Sequence, residues 1–284
     1  MGATASVAGR SGLRYKPGME NTTLYTISTL LSLVPAAFVA CRPNSARDSV
    51  FWFATAVAVA GPSAWSVILL SGEWRTGLSS SLWVTIAACM VLYSILAAAT
   101  REAWRLAPLL IPYLILMGII AAILSQEPER LLSAQVPLAW IEAHILFSVL
   151  TYAVLTVAAV AGVAVFLQER AMKNRQPTKV TALLPSVAAA EIMQVRLLIA
   201  TEIVLGLGIT TGMTSQFLET GILLEFSHKT LFSTIAFIVI GALLLIHFRT
   251  GMRGRRASRY ALIAYLMVTL GYPGVKFVTD VVIG

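Results

Sequence analysis

Residues 140–173, WIEAHILFSVLTYAVLTVAAVAGVAVFLQERAMK, decide the fold. No charged residue occurs between Ile145 and Gln168, and charged residues resume at Glu169. A helix that crosses a bilayer needs about 20 apolar residues. The stretch is therefore predicted to be a transmembrane helix that ends in a charged loop.

The rest of the sequence repeats this pattern of apolar runs between short charged loops. Of its 284 residues, 58% are hydrophobic and 12% are charged, whereas soluble domains carry about 25% charged residues, so a soluble enzyme is excluded. We predict an all-α, polytopic transmembrane helical bundle of about eight spans. The spans lie near residues 22–41, 49–71, 79–99, 106–124, 139–167, 196–213, 230–248 and 257–279. Pro62, Pro108 and Pro112 fall in or near spans two to four, where we expect kinks rather than breaks.

The distribution of basic residues predicts how the bundle is oriented. The loops after spans one, three, five and seven hold fourteen of the 21 Lys and Arg residues, and the opposite side holds seven. Positive residues accumulate on the cytoplasmic side of membrane proteins, so both termini are predicted to face outward. The same rule accounts for the net charge of +8 without nucleic acid as a partner. Residues 168–195 then form a long cytoplasmic loop, whose apolar second half predicts that it lies along the membrane surface.

The first eighteen residues differ from the rest of the chain. Gly, Ser and Arg dominate residues 1–18, and their positive charges lie on the side that should be poor in them. Met19 comes directly before the first span. We therefore divide the chain into a disordered N-terminal extension, residues 1–18, and one transmembrane domain, residues 19–284.

Three histidines are the candidate metal ligands. His144 lies about one turn inside the outer end of span five, and His228 lies at the outer start of span seven. His247 is nineteen residues beyond His228, which places it about 28 Å away along the same helix. His144 and His228 therefore face the same compartment, and His247 cannot share one metal with His228.

Span five carries a polar stripe that includes one of these histidines. Trp140, His144, Ser148 and Thr151 follow helical three- and four-residue spacing and share a face. Ionisable groups inside a membrane usually face a cavity or the bundle interior, so the stripe is predicted to point inward. There the imidazole can ligate iron, or it can form a hydrogen bond to a neighbouring helix.

Span six offers a second ionisable candidate. Glu202 lies about 9 Å beyond Arg196 along the helix and on its far side, so it needs a partner on another helix, a water or a proton. Further along, Gly206, Gly208 and Gly212 give the small residues that favour close helix packing. A carboxylate at this depth keeps a proton or ion path open as an alternative function.

Three stretches in order carry a resemblance to a known family: residues 140–173, residues 227–256 (SHKTLFSTIAFIVIGALLLIHFRTGMRGRR) and residues 270–278 (LGYPGVKFV). They resemble the cytochrome c assembly protein family, the integral membrane heme handlers of the CcsA and CcmC type. The resemblance covers most of residues 19–279. It implies that His144, which falls on the family's first outward-facing histidine, is an axial heme ligand.

The sequence departs from the family pattern in two places. The tryptophan-rich loop before span seven is replaced by residues 216–230, QFLETGILLEFSHKT, which contain no tryptophan. The second outward-facing histidine, expected after the last span, is missing. The chain thus resembles the YpjD-like and HemX-like inner-membrane sub-branch. These departures favour heme binding over attachment of heme to an apocytochrome.

We therefore predict a multi-pass protein of the bacterial cytoplasmic membrane that binds or handles heme near its outer face. The predicted cofactor site comprises His144 and His228 as metal ligands, with Trp140 and Lys229 beside the heme. Expected partners are heme, the lipid bilayer and other membrane or cytochrome-assembly proteins. We expect no enzymatic activity of its own, because no nucleophile with a base and no carboxylate pair is present. The alternatives are a small-solute or ion transporter that uses Glu202, and a non-catalytic membrane accessory subunit.

The predicted orientation is tested by topology reporters. A reporter fused after Gly254 should be active in the cytoplasm, and one fused after Glu219 should be active outside. The predicted orientation places these two positions on opposite sides of the membrane. Activity in the reverse pattern would place His144 and His228 on the cytoplasmic side and contradict the orientation.

Overall fold

The computed structural model describes residues 19–42, 46–71, 77–126, 138–221, 228–251 and 254–274. In these ranges it contains helices and no strand. The helices are α1 (Met19–Ala40), α2 (Ser49–Leu70), α3 (Leu78–Ala99), α4 (Ala107–Ile123), α5 (Leu138–Asn174), α6 (Lys179–Leu183), α7 (Val187–Thr220), α8 (His228–Thr250) and α9 (Arg255–Thr269). Short 3-10 turns flank α4, and a π-helical turn, Leu270–Gly274, follows α9. The predicted N-terminal extension, residues 1–18, lies outside the described residues.

The all-α, polytopic prediction is confirmed. Seven helices in the described ranges are long and apolar enough to cross a membrane, namely α1 to α5, α7 and α8. Of the predicted eighth span, residues 257–274 fall in α9 and the π-helical turn after it, and residues 275–279 lie outside the described residues. At 15 residues, α9 is about 22 Å long, which is shorter than the apolar thickness of a bilayer.

The helices with internal prolines remain continuous. α2 passes through Pro62 and α4 passes through Pro112, whereas Pro108 lies in the first turn of α4. A proline in the first turn costs no backbone hydrogen bond, because the first N–H groups of a helix have no intrahelical partner. The expectation that these prolines do not break the spans is therefore confirmed.

Apart from the five-residue α6, the helices form two groups of four. In the first group α1 packs against α2 and α4, and α3 packs against α2 and α4. In the second group α5, α7, α8 and α9 follow one another around a ring, so that α5 and α8 lie on one diagonal. Contacts of α5 with α3, and to a smaller extent with α4, join the two groups.

α5 is the central helix of the bundle. Every residue from Thr151 to Gly162 is buried, so neighbours cover the helix on all sides there. Small side chains make this possible, since they let neighbouring helices approach closely. Gly162 shows how close the approach is, because a Cβ atom built on it would lie 2.7 Å from Gln194 Nε2 on α7.

A network of hydroxyl groups ties the two groups together inside the bundle. Tyr113 of α4 is hydrogen-bonded to Tyr265 of α9. The Tyr265 hydroxyl also lies 3.3 Å from the Tyr152 hydroxyl, which in turn lies 3.2 Å from Thr269 Oγ1. Buried hydroxyl groups need such partners in an apolar interior, and these bonds join α4, α5 and α9.

Two helices are longer than the spans predicted for them. α5 has 37 residues and α7 has 34, which correspond to about 55 Å and 51 Å, whereas the bilayer's hydrocarbon core is about 30 Å thick. Much of the predicted loop 168–195 therefore belongs to the ends of α5 and α7, with α6 between them. Following the predicted orientation, we call the end with Leu138 and Thr220 the outer end, and the opposite end the inner end.

The turn between α8 and α9 is fixed to both long helices at the inner end. Glu191 of α7 accepts the Gly254 N–H at 2.9 Å, and Glu169 of α5 accepts the Arg255 N–H at 3.2 Å. Gly254 has a φ of 65°, and a Cβ atom there would lie 2.1 Å from Glu169 Oε1. Glycine at this position therefore satisfies both the backbone conformation and the close approach of the carboxylate.

We expect Gly254→Ala to lower the unfolding temperature in detergent by several degrees. The change puts a side chain at a positive φ that residues other than glycine rarely adopt, which costs about 1–3 kcal/mol, and also displaces Glu169. Gly251→Ala is the matched control, because Gly251 has the same φ of 65° but no described atom within 4 Å of the added Cβ. Equal losses of stability in the two variants, measured by thermal unfolding, would show that the contact with Glu169 contributes nothing.

Candidate functional site

The candidate site lies where the outer halves of α5 and α7 meet. His144 is six residues into α5, which places it about 9 Å from the start of the helix. It faces Gly208, Thr211 and Gly212 of α7. The packing of α5 against α7, the most extensive helix contact in the described part of the chain, thus holds the candidate ligand.

The hydrogen bond of His144 determines which ring nitrogen carries the proton. Nδ1 lies 3.0 Å from the backbone oxygen of Gly208. A carbonyl oxygen only accepts, so Nδ1 is the protonated nitrogen. In the neutral ring the lone pair then belongs to Nε2. Ligating histidines usually donate their second N–H to a carbonyl or carboxylate in this way.

The imidazole rests on a glycine that leaves room for it. A Cβ atom on Gly212 would lie 2.8 Å from Cε1 and 3.1 Å from Nδ1 of His144. Gly206 and Gly208 likewise face Phe237 of α8 and Phe147 of α5. The glycines of α7 therefore allow close helix packing, as predicted. Gly212 also leaves the room that the ring of His144, the candidate metal ligand, occupies.

Ser215, which the sequence did not single out, is placed near this site by its helical spacing. It lies one turn beyond Gly212 on the face of α7 that meets α5. Its hydroxyl oxygen is buried and has no hydrogen-bond partner in the described part of the chain. The sequence feature that could have identified it is the spacing of Gly208, Gly212 and Ser215, because this spacing extends the face of small residues on α7 toward the outer end.

The outer end of α5 is less covered than its middle. No residue from Trp140 to Leu150 is fully buried, and Trp140 is 42% exposed. Ser148 is also exposed and donates to the His144 carbonyl at 2.7 Å. The prediction that the whole polar stripe points inward is therefore wrong for Trp140 and Ser148. It holds for Thr151, which is 2% exposed.

The other predicted ligands are only partly placed. His228 begins α8, the helix diagonal to α5, so α5 and α8 face each other across the interior of the second group. The side chains of His228 and Lys229 lie outside the described residues, so their predicted contacts with a ligand stay predictions. Cofactors in helical bundles are commonly held by side chains from facing helices.

His247 and Glu202 lie away from this site. His247 is in the last turn of α8 at the inner end, where its ring contacts Phe248. Glu202 points toward α8, because its Oε1 lies 2.8 Å from the position of a Cβ atom on Gly241. Its Oε2 is buried without a hydrogen-bond partner among the described residues.

The residues around His144 fit a ligand that is coordinated by one imidazole nitrogen. Nε2 supplies the coordinating lone pair, Gly212 leaves the room that the imidazole ring occupies, and Ser215 supplies a hydroxyl without a described partner. The described residues contain no group of three or more His, Cys, Asp or Glu side chains that could enclose a bare metal ion. This donor set suits an iron that is already held by a porphyrin, which needs only axial ligands from the protein.

Comparison with known proteins agrees with this architecture. The family model described as cytochrome C assembly protein matches residues 74–283. The chain is also similar to a protein from Azospirillum brasilense described as an uncharacterized 28.8 kDa protein in the nifR3-like 5' region. The two are 50% identical over 271 residues, which cover 94% of this chain and 100% of the relative. No solved structure matches.

A match over most of the chain, on a bundle of this kind, identifies the class. The chain belongs to the cytochrome c assembly protein family and is a multi-pass membrane protein. Membership of the family supports a heme-handling role in a membrane.

We expect Gly212→Ala to destabilise the protein, because the new methyl group overlaps the His144 ring and breaks the bond from Nδ1 to Gly208. A lost hydrogen bond and a displaced side chain together cost about 1–3 kcal/mol. Gly208→Ala is the control on the same face, since its Cβ meets Phe147 at an ordinary 3.7 Å. Thermal unfolding measures both variants.

A double-mutant cycle then assigns the effect to the imidazole. In the His144→Ala background, Gly212→Ala should lower the unfolding temperature only slightly, because the ring that the new methyl group would overlap is absent. An equal loss of stability in that background would mean that the added methyl group strikes other atoms. It would contradict the described contact between Gly212 and the His144 ring.

Proposed function

We propose that the protein binds heme near the outer face of the bacterial cytoplasmic membrane, with Nε2 of His144 as an axial ligand. The observation that carries this proposal is the bond from His144 Nδ1 to the Gly208 carbonyl. It supports a ring whose second nitrogen is free to coordinate iron and whose orientation is fixed before the ligand arrives. Family membership supports heme as the ligand.

The protein's own contribution is to bind and orient the cofactor. α7 holds the imidazole from one side through Gly208, Thr211 and Gly212. The outer part of α5 is only partly covered by other helices, whereas Thr151 to Gly162 are fully buried. A large flat ligand would therefore lie against the outer part of the helix and not deeper. When bound, heme supplies the redox or transfer chemistry. The role proposed for the chain is therefore handling of the cofactor rather than catalysis.

We further propose His228 as the second axial ligand and Trp140 and Lys229 as residues beside the porphyrin. Trp140 lies one turn from His144 toward the outer end and is partly exposed, which suits an aromatic ring that packs on a flat ligand. Lys229 follows His228 in the first turn of α8, so its charge belongs to the same outer end. A lysine there can pair with a carboxylate of the porphyrin.

Glu202 supports a second candidate function, transport of a small solute or ion. Its Oε2 is buried without a partner among the described residues, and a carboxylate inside a membrane segment is costly and commonly marks an ion or proton path. It lies ten residues, about 15 Å, inward from Gly212 on α7. The two candidate functions therefore use separate parts of the second group, so variants can distinguish them.

Absorption spectra of the protein purified in detergent test the heme proposal. The wild type should show sharp bands on reduction, as low-spin heme with two nitrogen ligands does. His144→Ala and His228→Ala should each weaken or broaden these bands, because each removes an axial ligand. His247→Ala is the matched control, since it removes the third histidine at the opposite end of α8.

The same set of variants separates the alternatives. Glu202→Gln should leave the spectrum unchanged and should matter only if the protein moves a solute or ion. A wild type that stays colourless after addition of hemin would overturn the heme proposal. If His144→Ala and His228→Ala are then also tolerated in the cell, Glu202 or a purely accessory role becomes the better account.

A further inference from the structure

We propose that Ser215 donates a hydrogen bond to a carboxylate of the porphyrin held by His144. This inference rests on the heme-binding function proposed above. It begins with the hydroxyl groups of α7, which are otherwise used within the helix. Thr201, Thr210, Thr211 and Thr214 each donate to a backbone carbonyl three or four residues earlier, at distances of 2.8 to 2.9 Å.

Ser215 breaks this pattern. Its hydroxyl oxygen is buried, yet it makes no bond to the carbonyl of Thr211 or to any other described group. Serines and threonines in membrane helices usually bond back to the preceding turn. A buried hydroxyl without a partner carries a desolvation cost, and a ligand that accepts its hydrogen removes that cost.

The position of Ser215 identifies the part of the ligand that it contacts. It lies three residues, about 4.5 Å, beyond Gly212 toward the outer end, on the same face that seats His144. Thr220, the last residue of the helix, lies only five residues, about 7.5 Å, further on. An iron coordinated by Nε2 would lie at the depth of the imidazole, so the charged edge of its porphyrin would be stabilised on the outer side, nearer water.

The chemistry of the donor agrees with this assignment. A hydroxyl group that donates to a charged oxygen makes a shorter and stronger bond than one that donates to a neutral group. The carboxylates are the charged, hydrogen-bond-accepting groups on the edge of a porphyrin. Ser215 is therefore a ligand-binding residue for the carboxylate edge, distinct from the axial ligand that holds the iron.

Titration of the purified, full-length protein with hemin, and separately with its dimethyl ester, tests this assignment. Ser215→Ala should weaken hemin binding by about 10-fold or more, the value of a hydrogen bond to a charged group. The ester has no charged carboxylates, so its affinity should change much less. Band positions of bound hemin should stay those of the wild type, because His144 is untouched.

Two variants serve as controls. Thr214→Ala removes the neighbouring hydroxyl, which already donates to the Thr210 carbonyl, so hemin affinity should not change. Ser215→Thr keeps a hydroxyl at the site and should retain most of the affinity. It also shows that Ser215→Ala acts through the hydroxyl rather than through a loss of folding.

The outcomes distinguish this inference from the function on which it rests. If the wild type binds hemin through His144 and Ser215→Ala binds both ligands as the wild type does, the role of Ser215 is refuted and the heme site stands. An equal loss for hemin and its ester would mean that Ser215 acts by packing, which also refutes the inference. If the wild type binds neither ligand, both proposals fail.

Discussion

The structure depends on one constraint, that α5 is enclosed by other helices along the middle of the bundle. Between Thr151 and Gly162 no face of the helix is exposed. In a membrane, water does not drive helices together, so association relies on close packing and on hydrogen bonds between helices. The alanines and Gly162 in this stretch allow that packing. The positions of α3, α7 and α9 follow from it, because all three pack against α5.

Enclosure of α5 also determines which polar groups need partners. The hydroxyl groups of Tyr152 and Tyr265 are satisfied by one another and by their neighbours. At the inner end Glu169 and Glu191 accept backbone N–H groups at the start of α9. Against this background the few buried atoms without a described partner are informative. Ser215 is one of them, and helical spacing places it one turn from Gly212, toward the end where the enclosure of α5 opens.

The sequence predicted the fold well because apolar length is a local property. Spans one to seven correspond to helices, and the wrong details concern their ends. α5 and α7 continue past the apolar runs because residues such as Glu169 and Glu191 find partners on the turn before α9. That turn was unpredictable, since its contacts join residues more than sixty positions apart. The prediction that the polar stripe on α5 points inward was wrong at Ser148 for a similar reason. Spacing shows which residues share a face of a helix, but it does not show which face a neighbouring helix covers.

For the candidate site, the sequence could indicate His144 but not the state of its ring. The proton lies on Nδ1 because the Gly208 carbonyl meets it, and Gly208 is 64 positions away on another helix. The same contact explains why the glycines of α7 and the histidine of α5 belong to one arrangement. A side chain larger than hydrogen at position 212 would strike the imidazole and turn Nε2 away from its present direction. The packing that encloses α5 in the middle of the bundle thus also sets the direction of the candidate ligand at its outer end, because the two helices meet along one continuous face.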